Sequence, residues 1–441
     1  MPMLARRLPI RHLAAVLALA LVVGGVAAAP PPVRAADPVP TPIGDTVTFY
    51  GRGYGHGVGM NQHGARGRAL AGQTSTQILA KYYQGATLGK IDLATPIRVQ
   101  VLTDFKATST TPLELYARLR DWTMTGTEIV FPPDARITVT PTVTTASDGT
   151  KTTTWRVTVK SAAGTTLHTR ITAGFRMTPV SGAGRIQVWS RTSTKDEYRG
   201  TIRVRLSTVA RVVNEVSLET YLRGVVPAEM PSSWPTQALK AQAIAARSYA
   251  ARHLRPGVSD YDVRDDTSSQ VYLGSEGEKA TTDAVISSTA GVVLKSGTAV
   301  ANTLFHSTGG GATEHNENVY VSSTGKKLAG PVSYLRGSMD RRSDGSAWDE
   351  DAPYATWKTK TYSKTQLSAW FAADTRTNVG TISAIDLSHR GVSGRLISVT
   401  LIGSKGSKTV SGGVFRSVFN EGRPSADPSM RSTLVNTKFV P

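Results

Sequence analysis

The chain has 441 residues, 39% of them hydrophobic and 19% charged, with 51 Lys and Arg against 32 Asp and Glu for a net charge of +19. That composition excludes a disordered chain, and the length suffices for two or three domains with a well-buried core. Cysteine is absent, which excludes disulfides, thiol nucleophiles and cysteine-ligated metal.

Arg6, Arg7 and Arg11 precede an apolar run from Leu13 to Ala29, followed by Pro30 to Pro32 and the small-residue stretch Val33 to Ala36. The pattern predicts a secretory signal peptide over residues 1–36 and a secreted or cell-wall location. Retention as an anchor is the rival reading, although the run is short for a span of about 20 apolar residues. Removing residues 1–36 takes away four arginines and no acid, so +19 becomes +15. An exported basic protein with no membrane span after cleavage suits anionic wall polymers before nucleic acid, while general solubility is the plainer reading of the same charge.

Residues 37–45 read as a proline-rich linker, and Thr46 to Tyr50 alternates like a strand. Glycine then stands at 51, 53, 55, 57 and 59, which in extended backbone clears one face for another chain segment or a sugar. A helix is expected from about Ala65 and again over residues 76–83, where Ile78, Leu79, Tyr82 and Tyr83 recur at helical spacing. Residues 91–205 are dominated by Thr, Val and Arg in short alternating runs, with Asp148-Gly149 as a hairpin signal, and predict a β-rich subdomain. From residue 206 to 441 the spacing predicts a short helix around Glu219 to Arg223, a loop, and then a long alanine-rich helix with Ser233 as N-cap and Pro235 in its first turn. Strands are expected at residues 291–294, 303–306, 382–388 and 396–402, and the last apolar run is 434–440.

Four stretches together resemble the SpoIID/LytB family of cell-wall proteins: YLRGVVPAEMPSSWPTQALKAQAIAARSYA at 221–250, DDTSSQVY at 265–272, FHSTGGGATE at 305–314 and GRGYGHGVGMNQHGARGRALAG at 51–72. SGR at 393–395 and FRSVF at 415–419 add to it. The resemblance implies an α+β fold with a mixed sheet core, the alanine-rich helix carrying the active-site loop, and the Thr-rich region as a β subdomain. In the family's usual order the glycine-histidine segment is C-terminal, so its place here resembles a circular permutation. Residues 46–90 are then expected to pack beside residues 382–440 as part of one core, because domain termini often lie close together.

The resemblance implies a peptidoglycan lytic transglycosylase acting on glycan strands to leave anhydromuramic ends. The alternative it carries is a non-catalytic wall-binding amidase enhancer, whose partner would be a cell-wall amidase; an ordinary two-carboxylate hydrolase is a third reading. The family's catalytic glutamate falls on Glu229, the one carboxylate between Arg223 and Arg252. Val225, Val226, Met230 and Trp234 supply apolar surroundings that favour its protonated form. A glutamate near the positive end of the following helix, worth about 0.3–1 kcal/mol, is the plain alternative.

Gln242 and Arg247 suit substrate contact or buried bracing equally. Gln270, Tyr272, Ser307 and Thr313 match positions that line the family's cleft, and Gly309, Gly310 and Gly311 allow backbone amides to face a ligand. His56, Gln62 and His63 are expected to reach the same cleft. Asp265 and Asp266 are candidates for a second carboxylate or for a surface turn, and His306 and His315 carry no assignment. Some family members place cysteine before the Gln-x-Tyr element and hold zinc with it; Ser268 and Ser269 stand there in this chain, so no metal and no other cofactor is expected.

Overall fold

A computed structural model describes residues 40–439, so the expected signal peptide, residues 37–39 of the linker and the last two residues lie outside the described residues. A seven-stranded sheet runs in the order Val263–Arg264, Ile97–Phe105, Ala210–Val216, Thr201–Leu206, Gly174–Pro179, Trp122–Met124 and Val130–Phe131. All its pairings are antiparallel except that of Val263–Arg264 with Ile97–Phe105, which makes it a mixed sheet. An antiparallel six-stranded sheet holds most of the Thr-rich strands.

Alternation explains those strands. In Lys151–Lys160, Trp155, Val157 and Val159 are buried while Arg156 and Lys160 are exposed, as period 2 requires of a sheet with one covered face. Asp148-Gly149 forms the expected hairpin tip between Thr145 and Lys151, with Asp148 Oδ1 accepting from the Thr150 N–H at 2.8 Å. The composition break at 205/206 falls inside the strand Thr201–Leu206, and Ile137, Val157, Phe175, Ile202 and Val212 share one apolar cluster. The Thr-rich region is thus continuous with the residues C-terminal to it.

Helix α1 (Gln62–Leu70) is capped by Asn61, whose Oδ1 accepts from Gly64 N–H, and α2 (Ser75–Tyr82) by a Thr74/Gln77 capping box. Helix α3 spans Leu218–Glu229, and α4 spans Thr236–Arg252. Two expectations change here. The short helix continues through Pro227 and ends on Glu229, which is therefore helical, and α4 begins at Thr236 after Pro235 with no side-chain cap from Ser233. Helix α4 is buried around most of its circumference, Ala238, Ala241, Ala243, Ala245, Ala246 and Ala250 among its covered residues. Small side chains let α1, α2, α3 and the strand Val292–Ser296 approach it from all sides.

A second apolar cluster joins Ile43 and Phe49 to Phe371, Ile385, Leu401, Phe415 and Phe419. Thr41–Pro42 pairs with Ile382–Asp386, and Tyr50–Arg52 lies between Thr356–Lys358 and Val435–Asn436. The first described strands are woven into the C-terminal part of the chain.

Candidate active site

Glu229 closes α3, where Met230 N–H donates to Val226 O at 3.0 Å, and the half-buried carboxyl faces a cavity of about 590 Å³. Oε2 accepts from Gln62 Nε2 and Oε1 from the Val271 N–H, both at 3.3 Å. Burial raises its pKa above the usual glutamate value, outweighing these two long hydrogen bonds, which act in the opposite sense. The negative end of α3 adds to the effect of burial. No other carboxylate is among the residues that line the cavity.

The glycine-histidine segment reaches Glu229 by a different backbone from the one its spacing suggests. Gly53, Gly55, Gly57 and Gly59 all have φ between 70° and 105°, so the run is a left-handed zigzag instead of a strand. A Cβ on Gly59 would lie 2.0 Å from Leu304 O, and one on Gly57 would lie 2.4 Å from Arg395 Cζ. The close approach is by protein, and it seats His56 against the cavity. The Val58 N–H donates to His56 Nδ1 at 3.0 Å, so the ring proton is on Nε2, which donates to Phe305 O at 3.0 Å. Burial, with the nearby Arg395 guanidinium, lowers its pKa to about 4. Both ring nitrogens are engaged and the ring is neutral, with its one proton committed to Phe305 O and its one lone pair to the Val58 N–H.

Gln62 is buried and bridges Glu229 to Gln242, whose Oε1 accepts from Gln62 Nε2 at 3.5 Å. His63 packs edge-on to Trp234 at 4.8 Å, with the Arg66 guanidinium over the same indole at 5.8 Å. Glu229, Gln62, Gln242 and His56 are thus brought together, with His63 next to Gln62.

Several other expected cleft residues are turned inward. Arg247, fully buried, forms a bidentate pair with Glu219 at 2.8 Å and donates to Val292 O and Ile286 O, so of its two open readings, substrate contact and bracing, the contacts are those of a brace between α4, α3 and the following elements. Gln270 accepts from Tyr221 Oη at 3.2 Å, and Tyr272 Oη donates to Asn214 Oδ1 at 2.9 Å; both are buried on the core side. Only the Val271 amide between them faces the Glu229 carboxyl. Gly310 and Gly311 donate their N–H groups to the buried Asp349, and Gly309 O accepts from Arg395, so this loop's polar backbone is engaged internally. Thr313 exchanges hydrogen bonds with Ser338, and Ser307 O accepts from the His63 N–H at 3.0 Å, so these two act as supports. Asp265 pairs with Arg191, and Asp266 accepts from the Ser268 N–H in a turn, so neither is a second carboxylate for the cavity.

Residues without a sequence-based expectation complete the wall: Tyr249 in the last turn of α4 and His253 at its C-cap, Thr267, Asn302, Asn316 and Tyr320. His253 Nδ1 donates to Tyr249 O at 2.7 Å, fixing its tautomer. Behind the site lies a buried network that the motifs do not announce. Asn61 Nδ2 donates to Asp340 and Asp349 at 3.0 Å each, Arg68 pairs with Asp340 at 2.6 Å, and Tyr82 Oη donates to Asp340 at 2.7 Å. It fixes the start of α1, and hence Gln62, against the loop that carries Gly309 to Gly311.

No group of three or more metal-ligating side chains that could hold an ion occurs among the described residues. Prolonged chelation is expected to leave any glycan cleavage by the purified protein unchanged; silencing by a chelator with recovery on adding zinc would contradict this. No helix of the described residues is long and apolar enough to cross a membrane.

Residues 207–295, which include Glu229, match the family described as SpoIID, Stage II sporulation protein. The chain is 39% identical over 111 residues to an uncharacterised protein of Brachyspira hyodysenteriae, covering 25% of this chain and 30% of that one. It is 32% identical over 164 residues to the amidase enhancer of Bacillus subtilis, covering 37% and 21%, and 31% identical over 240 residues to stage II sporulation protein D of the same organism, covering 48% and 65%. The chain spans less than two thirds of the length of each of these relatives. No solved structure matches it.

Proposed function

We propose, from the premise that residues 207–295 place the chain in the SpoIID/LytB family, that it is an exported lytic transglycosylase that cuts peptidoglycan glycan strands with Glu229 as sole acid and base. The observation that carries the reading is a lone carboxyl, held by two neutral donors and raised in pKa by burial, on a cavity with no second carboxylate in its lining. Hydrolysis commonly uses two carboxylates, one of them as nucleophile or as base for water. Intramolecular transfer needs one. Protonated Glu229 gives its proton to the glycosidic oxygen as the bond from that oxygen to C1 breaks. The 6-hydroxyl of the same muramic residue attacks C1, and the Glu229 carboxylate takes the hydroxyl proton as the 1,6-anhydro ring closes. The enzyme ends as it began, with Glu229 protonated. His56, held neutral with both nitrogens engaged, positions the wall and adds no second base.

A pH profile tests the role of Gln62. Cleavage requires the protonated acid, so activity falls as pH rises through the Glu229 pKa. Gln62 stabilises the carboxylate, so Gln62→Ala is expected to move that falling limb to higher pH. An unmoved limb would assign it to another group.

The name of one relative, amidase enhancer, supports a second reading in which this chain binds walls and stimulates another enzyme. Incubating purified protein with purified walls separates the two. Release of soluble glycan without any amidase is expected; release only when an amidase is added would favour the enhancer reading.

A further inference from the structure

Two asparagines line the cavity, and they use their carboxamides differently. Asn316 commits both ends to the wall: Nδ2 donates to Gly330 O at 3.0 Å and Oδ1 accepts from the Val332 N–H at 2.9 Å. Asn302 commits neither. Its backbone N–H donates to Tyr334 Oη at 2.9 Å, which fixes the main chain, but no described residue hydrogen-bonds its side chain, and Oδ1 is shut off from solvent without a partner. A covered amide acceptor left unpaired is costly, and turning the carboxamide so that this acceptor meets a ligand in the cavity offsets that cost. Leu304, Phe305, Val332 and Leu335 line the same cavity and make this part of it apolar, while Thr267, Ser268 and Ser269 come from a separate segment.

We infer that Asn302, with Val332 and Leu335, forms a subsite for the 2-acetamido group of a sugar, so that the cavity selects N-acetylated over de-N-acetylated glycan. The inference rests on the glycan reading above. An acetamido group presents a donor, an acceptor and a methyl on one small plane. Rotation of the Asn302 carboxamide about Cβ–Cγ offers either end to it, while the methyl meets the aliphatic side chains. A sugar hydroxyl brings no methyl, and an ammonium would have to give up water against apolar surface. Because Glu229 lines the same cavity, the sugar read in this way is one near the bond to be cut.

Calorimetric binding to the Glu229→Gln protein tests this without turnover, using a β-1,4 tetramer of N-acetylglucosamine and the matching glucosamine tetramer. The acetylated oligomer is expected to bind at least about tenfold more tightly, a difference worth 1.4 kcal/mol. Asn302→Ala is expected to weaken the acetylated oligomer about tenfold and leave the glucosamine oligomer unchanged; Asn302→Ser serves if the alanine protein does not fold. Equal affinity for the two oligomers, binding of neither, or parallel loss of both in the variant would overturn the subsite. Selective binding by a wild-type protein that releases no glycan would instead overturn the lytic reading while upholding the subsite.

Discussion

Glu229→Gln is expected to lower glycan cleavage by about 100- to 10,000-fold, the range that a positioned acid or base contributes, while leaving the fold and glycan binding intact. The substitution keeps the shape of the side chain and removes its transferable proton. Both neighbours tolerate it: the glutamine carbonyl still accepts from the Val271 N–H, and the Gln62 carboxamide turns to offer its oxygen to the new amide. No other carboxyl lines the cavity and His56 has no free nitrogen, so neither a second carboxylate nor His56 replaces the lost proton. Circular dichroism and oligosaccharide binding separate this result from a folding defect. Cleavage near the wild-type rate would falsify the catalytic role.

The largest expected loss of stability comes from Asp340→Ala, about 3–5 kcal/mol, because it leaves a buried cation without its partner. Asp340 is fully covered and accepts from Arg68, Tyr82 and Asn61 together. Removing it strands the Arg68 guanidinium, which stays close to the Tyr82 and Trp348 rings but loses its carboxylate. Since Asn61 caps α1 and Gln62 follows it, cleavage should fall along with stability. Asp260→Ala is the control: its pair with Arg205 is about half exposed on both sides, and such pairs are worth about 1 kcal/mol or less. Chemical denaturation of both variants checks the contrast, and equal losses would count against the network's role.

Glu229 was legible because it is the only acid in a long motif, and the alternation of the Thr-rich strands because period 2 survives in residues such as Trp155, Val157 and Val159. The side of the backbone that each motif residue faces was harder to read. Gln270 and Tyr272 share one face of an extended segment and Val271 takes the other, a signal present in the sequence that only the position of Glu229 makes meaningful. Arg247 read equally well as brace or contact, and its ion pair with Glu219 joins residues 28 apart that no local spacing connects. The glycine run misled for a physical reason: alternate glycines fit an extended strand and also a chain of left-handed turns, and only the segment pressed against them decides. Residues 302–335 contain only the two-residue strand Phe305–His306 and the one-turn helix Asn316–Val319, so periodicity says nothing about the cavity wall they build. Tyr50–Arg52 pairs with Val435–Asn436, and the break inside the expected strand Thr46 to Tyr50 shifts the paired residues toward the glycines.

Mass spectrometry of the glycan fragments released from purified walls by the purified protein tests the central claim most directly, because the new chain end records which oxygen attacked C1. Fragments ending in 1,6-anhydromuramic acid, absent from the Glu229→Gln digest, are the result that a single intramolecular acid and base predicts. Fragments ending in reducing muramic acid would show that water attacked and would contradict it.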